Sequence, residues 1–334
     1  IIAIFLISGC SITNDDAGTT LPTTEPTTAT VPTTTAPPPT TLPPETTPPT
    51  EPPYHEDIMA VPMIRMMGML YVLDKAEDSF TQQLPDNYVY LGFCYENNDS
   101  IPKRDTSSRY IPSYTELYAS LEVPDYIYYD TGEGYQRLIR AALVENTVSK
   151  DDPDNTVPEA YIQAFFNTLL QVDAHNPYAQ AAGQVFYQPE EVDLYMQFYN
   201  GFREWSHYEV PLTGEEETFL AANGWGEKKP MSNARRFPIS AMDQQLQRFF
   251  GITFWESWGV GLDRMEHYRE ENQCYYHWRS DTRGSQATIS SVEKENDTYR
   301  ITYQLKDDYY GNTYRMTLIK TDGVLQIYSN VIIK

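Results

Sequence analysis

Between residues 11 and 55 the chain carries 16 Thr and 12 Pro in 45 positions, has no Lys, Arg, Phe or Trp, and has Tyr54 as its only tyrosine. A stretch of this kind holds too little apolar surface to offset the entropy of ordering it, so it cannot belong to a packed core. Proline favours polyproline II at about 3.1 Å per residue, which makes the stretch a semi-rigid spacer with a reach of roughly 100 Å. Pro/Thr runs also have the composition of O-glycosylated stalks. The spacer divides the chain. Whatever folds lies in 56–334, a length suited to one or two domains.

Ahead of the spacer, residues 1–10 read IIAIFLISGC, uncharged and mostly bulky apolar. The block is too short to span a bilayer, which takes about 20 residues. It closes on small residues before a cysteine, as the end of a secretory signal peptide does, and a charged n-region is expected upstream of it. Ile7-Ser8-Gly9-Cys10 resembles the lipobox of bacterial lipoproteins. In that family the signal peptidase cuts before the cysteine and the sulfur carries diacylglycerol. The resemblance therefore places a lipid on Cys10 and makes the membrane a partner through that anchor. Two acyl chains anchor stably, whereas one anchors weakly.

The formal net charge is −23. The first 55 residues contain five acids and no base, so 42 acids and 24 bases fall in 56–334, a net of −18. Such acidity excludes a nucleic-acid binder, whose phosphate contacts need Lys and Arg. It also disfavours electrostatic docking on anionic lipid. Its plainest reading is solubility.

Within 56–334, Met59–Leu73 is apolar and broken by Pro62 and Gly68, and fits either a strand or a short helix. Tyr88–Tyr95 reads as a buried strand. Six helices are expected next. Ser113-x-x-Glu116 forms a capping box ahead of Leu117 and Leu121. Tyr135, Ile139 and Ala142 share a face. Thr156-x-x-Glu159 leads into Ile162, Phe165 and Leu169. Pro189-Glu190-Glu191 opens a fourth helix, Thr213-x-x-Glu216 a fifth that stops at Asn223-Gly224, and Ser240-x-x-Asp243 a sixth that ends at Gly251. After Cys274 the period changes to 2. Tyr299, Ile301, Tyr303 and Leu305 alternate with polar residues, as do Tyr314, Met316 and Leu318, with turns at Glu295-Asn296-Asp297 and Asp322-Gly323. The expectation is an α+β chain with a disordered N-terminal linker. A helix-rich N-terminal part is followed by a helix and an antiparallel β-meander of about four strands. The segments are 1–10 (signal-peptide remnant and lipobox), 11–55 (tether), 56–210 (mixed, mainly helical) and 211–334 (α+β, ending in the sheet).

Chemistry-bearing residues are sparse. Cys94 and Cys274 remain once Cys10 is lipidated, either as a disulfide or as two buried thiols. Glu266, His267, Cys274 and His277 are of zinc-binding type, but Cys274–Arg279 reads as a strand, on which i and i+3 point to opposite faces. Asp151–Asn155 lacks the glycine and closing glutamate of a calcium loop. Ser291-x-x-Lys294 lies in a strand pattern rather than at the start of a helix. No metal and no cofactor are expected. Trp225, Trp255 and Trp258 suit an aromatic surface for a sugar or protein partner, or else core packing.

Four blocks, MQFYNGF (196–202), LTGEEETFL (212–220), FPISAMDQQLQRFFGI (237–252) and GLDRMEHYREENQCYYHWRSDT (261–282), resemble stretches of uncharacterised surface lipoproteins of low-GC Gram-positive anaerobes. That resemblance implies a location and carries no catalytic residue. Taken together, the expectation is a membrane-tethered extracytoplasmic lipoprotein on the outer face of the cell membrane. It would be a binding or interaction module whose partner is a cell-wall polymer, a glycan or a protein. The alternatives are a cell-surface hydrolase of glycans and a structural or inhibitory envelope protein.

Overall fold

The computed structural model describes residues 61–94, 96–97, 102–141, 159–170, 176–199, 212–227, 229–278 and 286–334. Cys10, the spacer, Thr156 and the Asp151–Asn155 turn lie outside these residues.

The chain enters as a hairpin. Strands β1 (Met63–Met66) and β2 (Met69–Leu73) are joined by Met67 and Gly68, both at positive φ (53° and 74°), the two-residue turn that suits the strand twist. Then come β3 (Phe80–Thr81), β4 (Tyr88–Phe93), β5 (Glu96–Asn97), β6 (Ser107–Arg109), β7 (Glu116–Ser120), β8 (Tyr126–Asp130) and β9 (Tyr135–Arg140). They form one curled sheet in the order β4-β7-β8-β9-β2-β1-β6-β5, with β3 paired to β9. Every pairing is antiparallel except β5 with β6.

This sheet overturns the expected helix-rich N-terminal part, because the described residues are mostly β. The Leu117/Leu121 stripe lies on β7 and beyond, and the Tyr135/Ile139 stripe on β9. The physical reason is burial on both faces. Ile64, Met66, Tyr71 and Leu138 enter the main core, while Met63, Leu70, Val72 and Ile139 pack in a second cluster. A strand covered on both sides loses its period-2 alternation, and its apolar residues then fall by chance at helical spacing. The Ser113/Glu116 pair is no cap either, because Glu116 turns its carboxylate to Arg248.

The helices are fewer and shorter than their stripes suggest. α1 (Glu159–Leu169) buries Tyr161, Phe165, Phe166 and Leu169, and α2 (Pro177–Ala182) is capped by the Asn176 side chain. The helix expected from Pro189 is instead a single 3-10 turn, Pro189–Glu191, followed by α3 (Leu194–Phe198) with Asp193 as its N-cap. α4 (Gly214–Ala222) has the Thr213/Glu216 capping box, with Asn223 as its C-cap. α5 (Ile239–Phe250) starts after Pro238 rather than at a Ser240 cap, and stops at left-handed Gly251.

Two further sheets complete the unit. β10 (Ala234–Pro238), β11 (His267–Arg269) and β12 (Cys274–Trp278) lie in the order β10-β12-β11. β13 (Ala287–Glu295), β14 (Thr298–Leu305), β15 (Thr313–Thr321) and β16 (Val324–Ile332) form an antiparallel meander in chain order. One core unites the large sheet, helices α1, α2, α3 and α5, and the meander, from Ile64 on β1 through Phe166 on α1 and Phe249 on α5 to Ile327 on β16. α5 bridges the two sheets, since the Phe249 ring lies 5.5 Å from Tyr90 of β4 and Gln326 of β16 bonds the Gln247 carbonyl.

Candidate functional site

The meander's turns face the large sheet. Asp322 and Gly323 (φ 45° and 77°) form the two-residue turn between β15 and β16. The Lys320 amide donates to the Asp297 carbonyl at 2.8 Å, which holds the β13–β14 turn beside it. The Tyr90 amide of β4 donates to the Gly323 carbonyl at 2.9 Å and joins the turn to the large sheet. Between these turns and the sheet opens a cleft of about 500 Å³. Its apolar wall comes from Leu84, Pro85 and Val324, its inner surface from Tyr118 on β7, Tyr135 on β9 and Arg248 on α5, and its rim from Asp86, Asp297, Lys320 and Asp322.

The inner surface is built around one ion pair. Arg248 donates from both terminal nitrogens to the two Glu116 oxygens, each at 2.9 Å, and the Tyr118 hydroxyl donates to the same carboxylate. The guanidinium also lies 4.8 Å from the centre of the Tyr90 ring and 5.1 Å from that of Phe249. Burial disfavours its charge, but the hydrogen bonds and field of Glu116 outweigh that and raise its pKa. Burial, reinforced by the Glu116 charge, pushes the Tyr118 phenol up and keeps it protonated. Tyr118 and Tyr135 meet edge to face, 5.3 Å apart at 89°, a favourable arrangement for aromatic quadrupoles. At the rim, Asp86, Asp297 and Asp322 are exposed, and Lys320 is half-buried with no ion-pair partner among the described residues. Arrays of this kind hold small polar molecules by an apolar wall and a few converging polar groups.

The residues singled out from the sequence lie elsewhere. Cys94 and Cys274 are both buried, and no disulfide joins them. They belong to different apolar clusters, and each sulfur faces a local oxygen, Cys94 the Ser108 hydroxyl at 2.8 Å and Cys274 the Asn272 carbonyl at 3.3 Å. Burial pushes the Cys274 thiol up to about 11. The three tryptophans do not form one surface. Trp225 is buried with Leu220, Ala234 and Tyr276, whereas Trp255 and Trp258 are 75% and 62% exposed on the loop after α5. The zinc-type residues do not converge, and among the described residues no three His, Cys, Asp or Glu side chains are placed to hold a metal. His277 packs against the rings of Tyr195 and Tyr199, each 4.8 Å away. Its Nδ1 is 3.9 Å from a Glu266 oxygen, while Lys229 takes the other oxygen of that carboxylate. Ser291 and Lys294 lie on β13, and Lys294 pairs with Glu122.

The cleft residues sit on unrelated elements, so no single stretch of sequence marks them. Only the turn signals at Asp297 and Asp322-Gly323 point toward the cleft, since they mark where loop carboxylates cluster. Nothing local distinguishes Tyr118, Tyr135 or Arg248 from core residues. No protein-family model, no curated protein and no solved structure matches this chain.

Proposed function

We propose that the chain is a membrane-tethered extracytoplasmic lipoprotein, anchored through Cys10, whose folded module binds a small polar ligand in the cleft between the meander turns and the large sheet. The observation that carries the binding reading is the cleft itself. At about 500 Å³ it falls within the roughly 300–1,000 Å³ of small-molecule sites, and its inner surface is held by the Arg248–Glu116 pair. The tether reading is supported by the apolar block ending in Ile7-Ser8-Gly9-Cys10 and by the Thr/Pro spacer behind it. No helix among the described residues is long and apolar enough to cross a membrane.

Each half has its own test. Mass spectrometry of the mature N-terminus should find diacylglycerol on the Cys10 sulfur, and an unmodified Cys10 sinks the anchor. A thermal-shift screen of the full chain against small polar metabolites and oligosaccharides should yield compounds that stabilise it. Stabilisation should be lost in Tyr135→Ala, and hits that survive this substitution place binding elsewhere.

A further inference from the structure

We infer that the ligand of this cleft is an uncharged saccharide, an inference that rests on the cleft being the binding site. The polar inventory sets the chemistry. Asp86, Asp297 and Asp322 offer only acceptors, and Lys320 offers only donors. An apolar ligand would strand all four as it displaced their water. A sugar hydroxyl both donates and accepts, so one pyranose ring can serve the carboxylates and the ammonium together.

Charge excludes the anionic alternative. Arg248 is committed to Glu116 by both terminal nitrogens, leaving Lys320 as the one unpaired cation against three carboxylates on the lining. A uronate or a phosphate-bearing polymer would meet net repulsion. A compact cation would leave most of the space unfilled and would sit beside Lys320. The apolar part of the lining completes the match. Tyr135, Leu84 and Pro85, partly exposed and backed by the buried Tyr118 and Val324, present the low-polarity surface that the C–H face of a sugar ring covers, while the rim reads its hydroxyls.

The test is a glycan array probed with the full chain. It displays neutral hexose and N-acetylhexosamine oligosaccharides beside uronate oligosaccharides and oligolysine. At least one neutral glycan should bind and no uronate should. Binding should fall about tenfold or more in Tyr135→Ala and in the Asp86→Ala/Asp297→Ala double variant, the scale of one or two lost hydrogen bonds. It should persist at about 1 M salt, where screening acts within ~3 Å. The two aspartates are exposed turn residues, and circular dichroism checks that the variants fold. Uronate binding equal to that of neutral glycans overturns the inference, as does an array on which no glycan binds. Binding of oligolysine alone, lost in the aspartate variants, overturns the saccharide but leaves the cleft as the site. Glycan binding indifferent to both cleft variants and abolished by Trp255→Ala or Trp258→Ala overturns saccharide binding in the cleft and the cleft reading together.

Discussion

His277 shows how one buried side chain makes stability depend on pH. Its side chain is 5% exposed, and burial is the main reason its pKa falls to about 4, with Lys229 and Arg235 adding to the effect and Glu266 opposing it. The neighbouring rings of Tyr195 and Tyr199 supply no charge. The folded state therefore holds His277 neutral at a pH where the unfolded chain, with a value near 6.5, binds a proton. Its contribution is intact above pH ~6.5 and is lost as the pH falls toward 4, by about 3 kcal/mol. Urea titrations at both pH values should show this loss in the wild type, and His277→Phe should lose about that much less. At the cleft, Glu116→Ala leaves the partly buried Arg248 guanidinium without its bidentate partner. Unfolding free energy should drop by about 2 kcal/mol, read from the urea midpoint. None of the residues in that pair was legible as such, since Glu116 and Arg248 are 132 positions apart and each carries a plausible local role.

Elements differ in how plainly their sequence announces them. The meander was readable because β14 and β15 alternate buried and less buried residues and turn at Asp322-Gly323. α4 was readable because its capping box acts locally, with the Thr213 hydroxyl taking the Glu216 amide and the Glu216 carboxylate taking the Thr213 amide. The large sheet was not, because β7 and β9 bury residues toward both faces and so imitate helical stripes. Glu216 shows what a local motif hides. Burial alone would raise its pKa, yet the Thr213 amide, the Tyr276 hydroxyl and Arg236 together lower it. Thr213→Ala should cost about 1 kcal/mol. Glu216→Ala should cost about 3 kcal/mol, because it removes a buried carboxylate that also pairs the partly buried Arg236. Chemical denaturation of both variants checks the ranking. Gly323→Ala puts a side chain at φ 77°, and should cost about 1–2 kcal/mol of left-handed strain.

At the scale of the molecule, the main apolar core joins the large sheet, helices α1, α2, α3 and α5, and the meander. Among the described residues the core crosses from the N-terminal half to the C-terminal half, since Phe166 of α1 touches Tyr299 of β14 and Tyr90 of β4 touches Phe249 of α5. Thermal unfolding should accordingly give one transition, with calorimetric and van't Hoff enthalpies in agreement. The main-chain bond from Tyr90 to the Gly323 carbonyl spans that continuity at the end of the cleft. If the mouth widens by lifting the turn, that amide becomes free to swap its proton with water, whereas amides deep in β4 stay protected. The exchange rate of one backbone hydrogen at Tyr90 would then serve as a clock for the opening of the cleft, slowing when a ligand holds it closed.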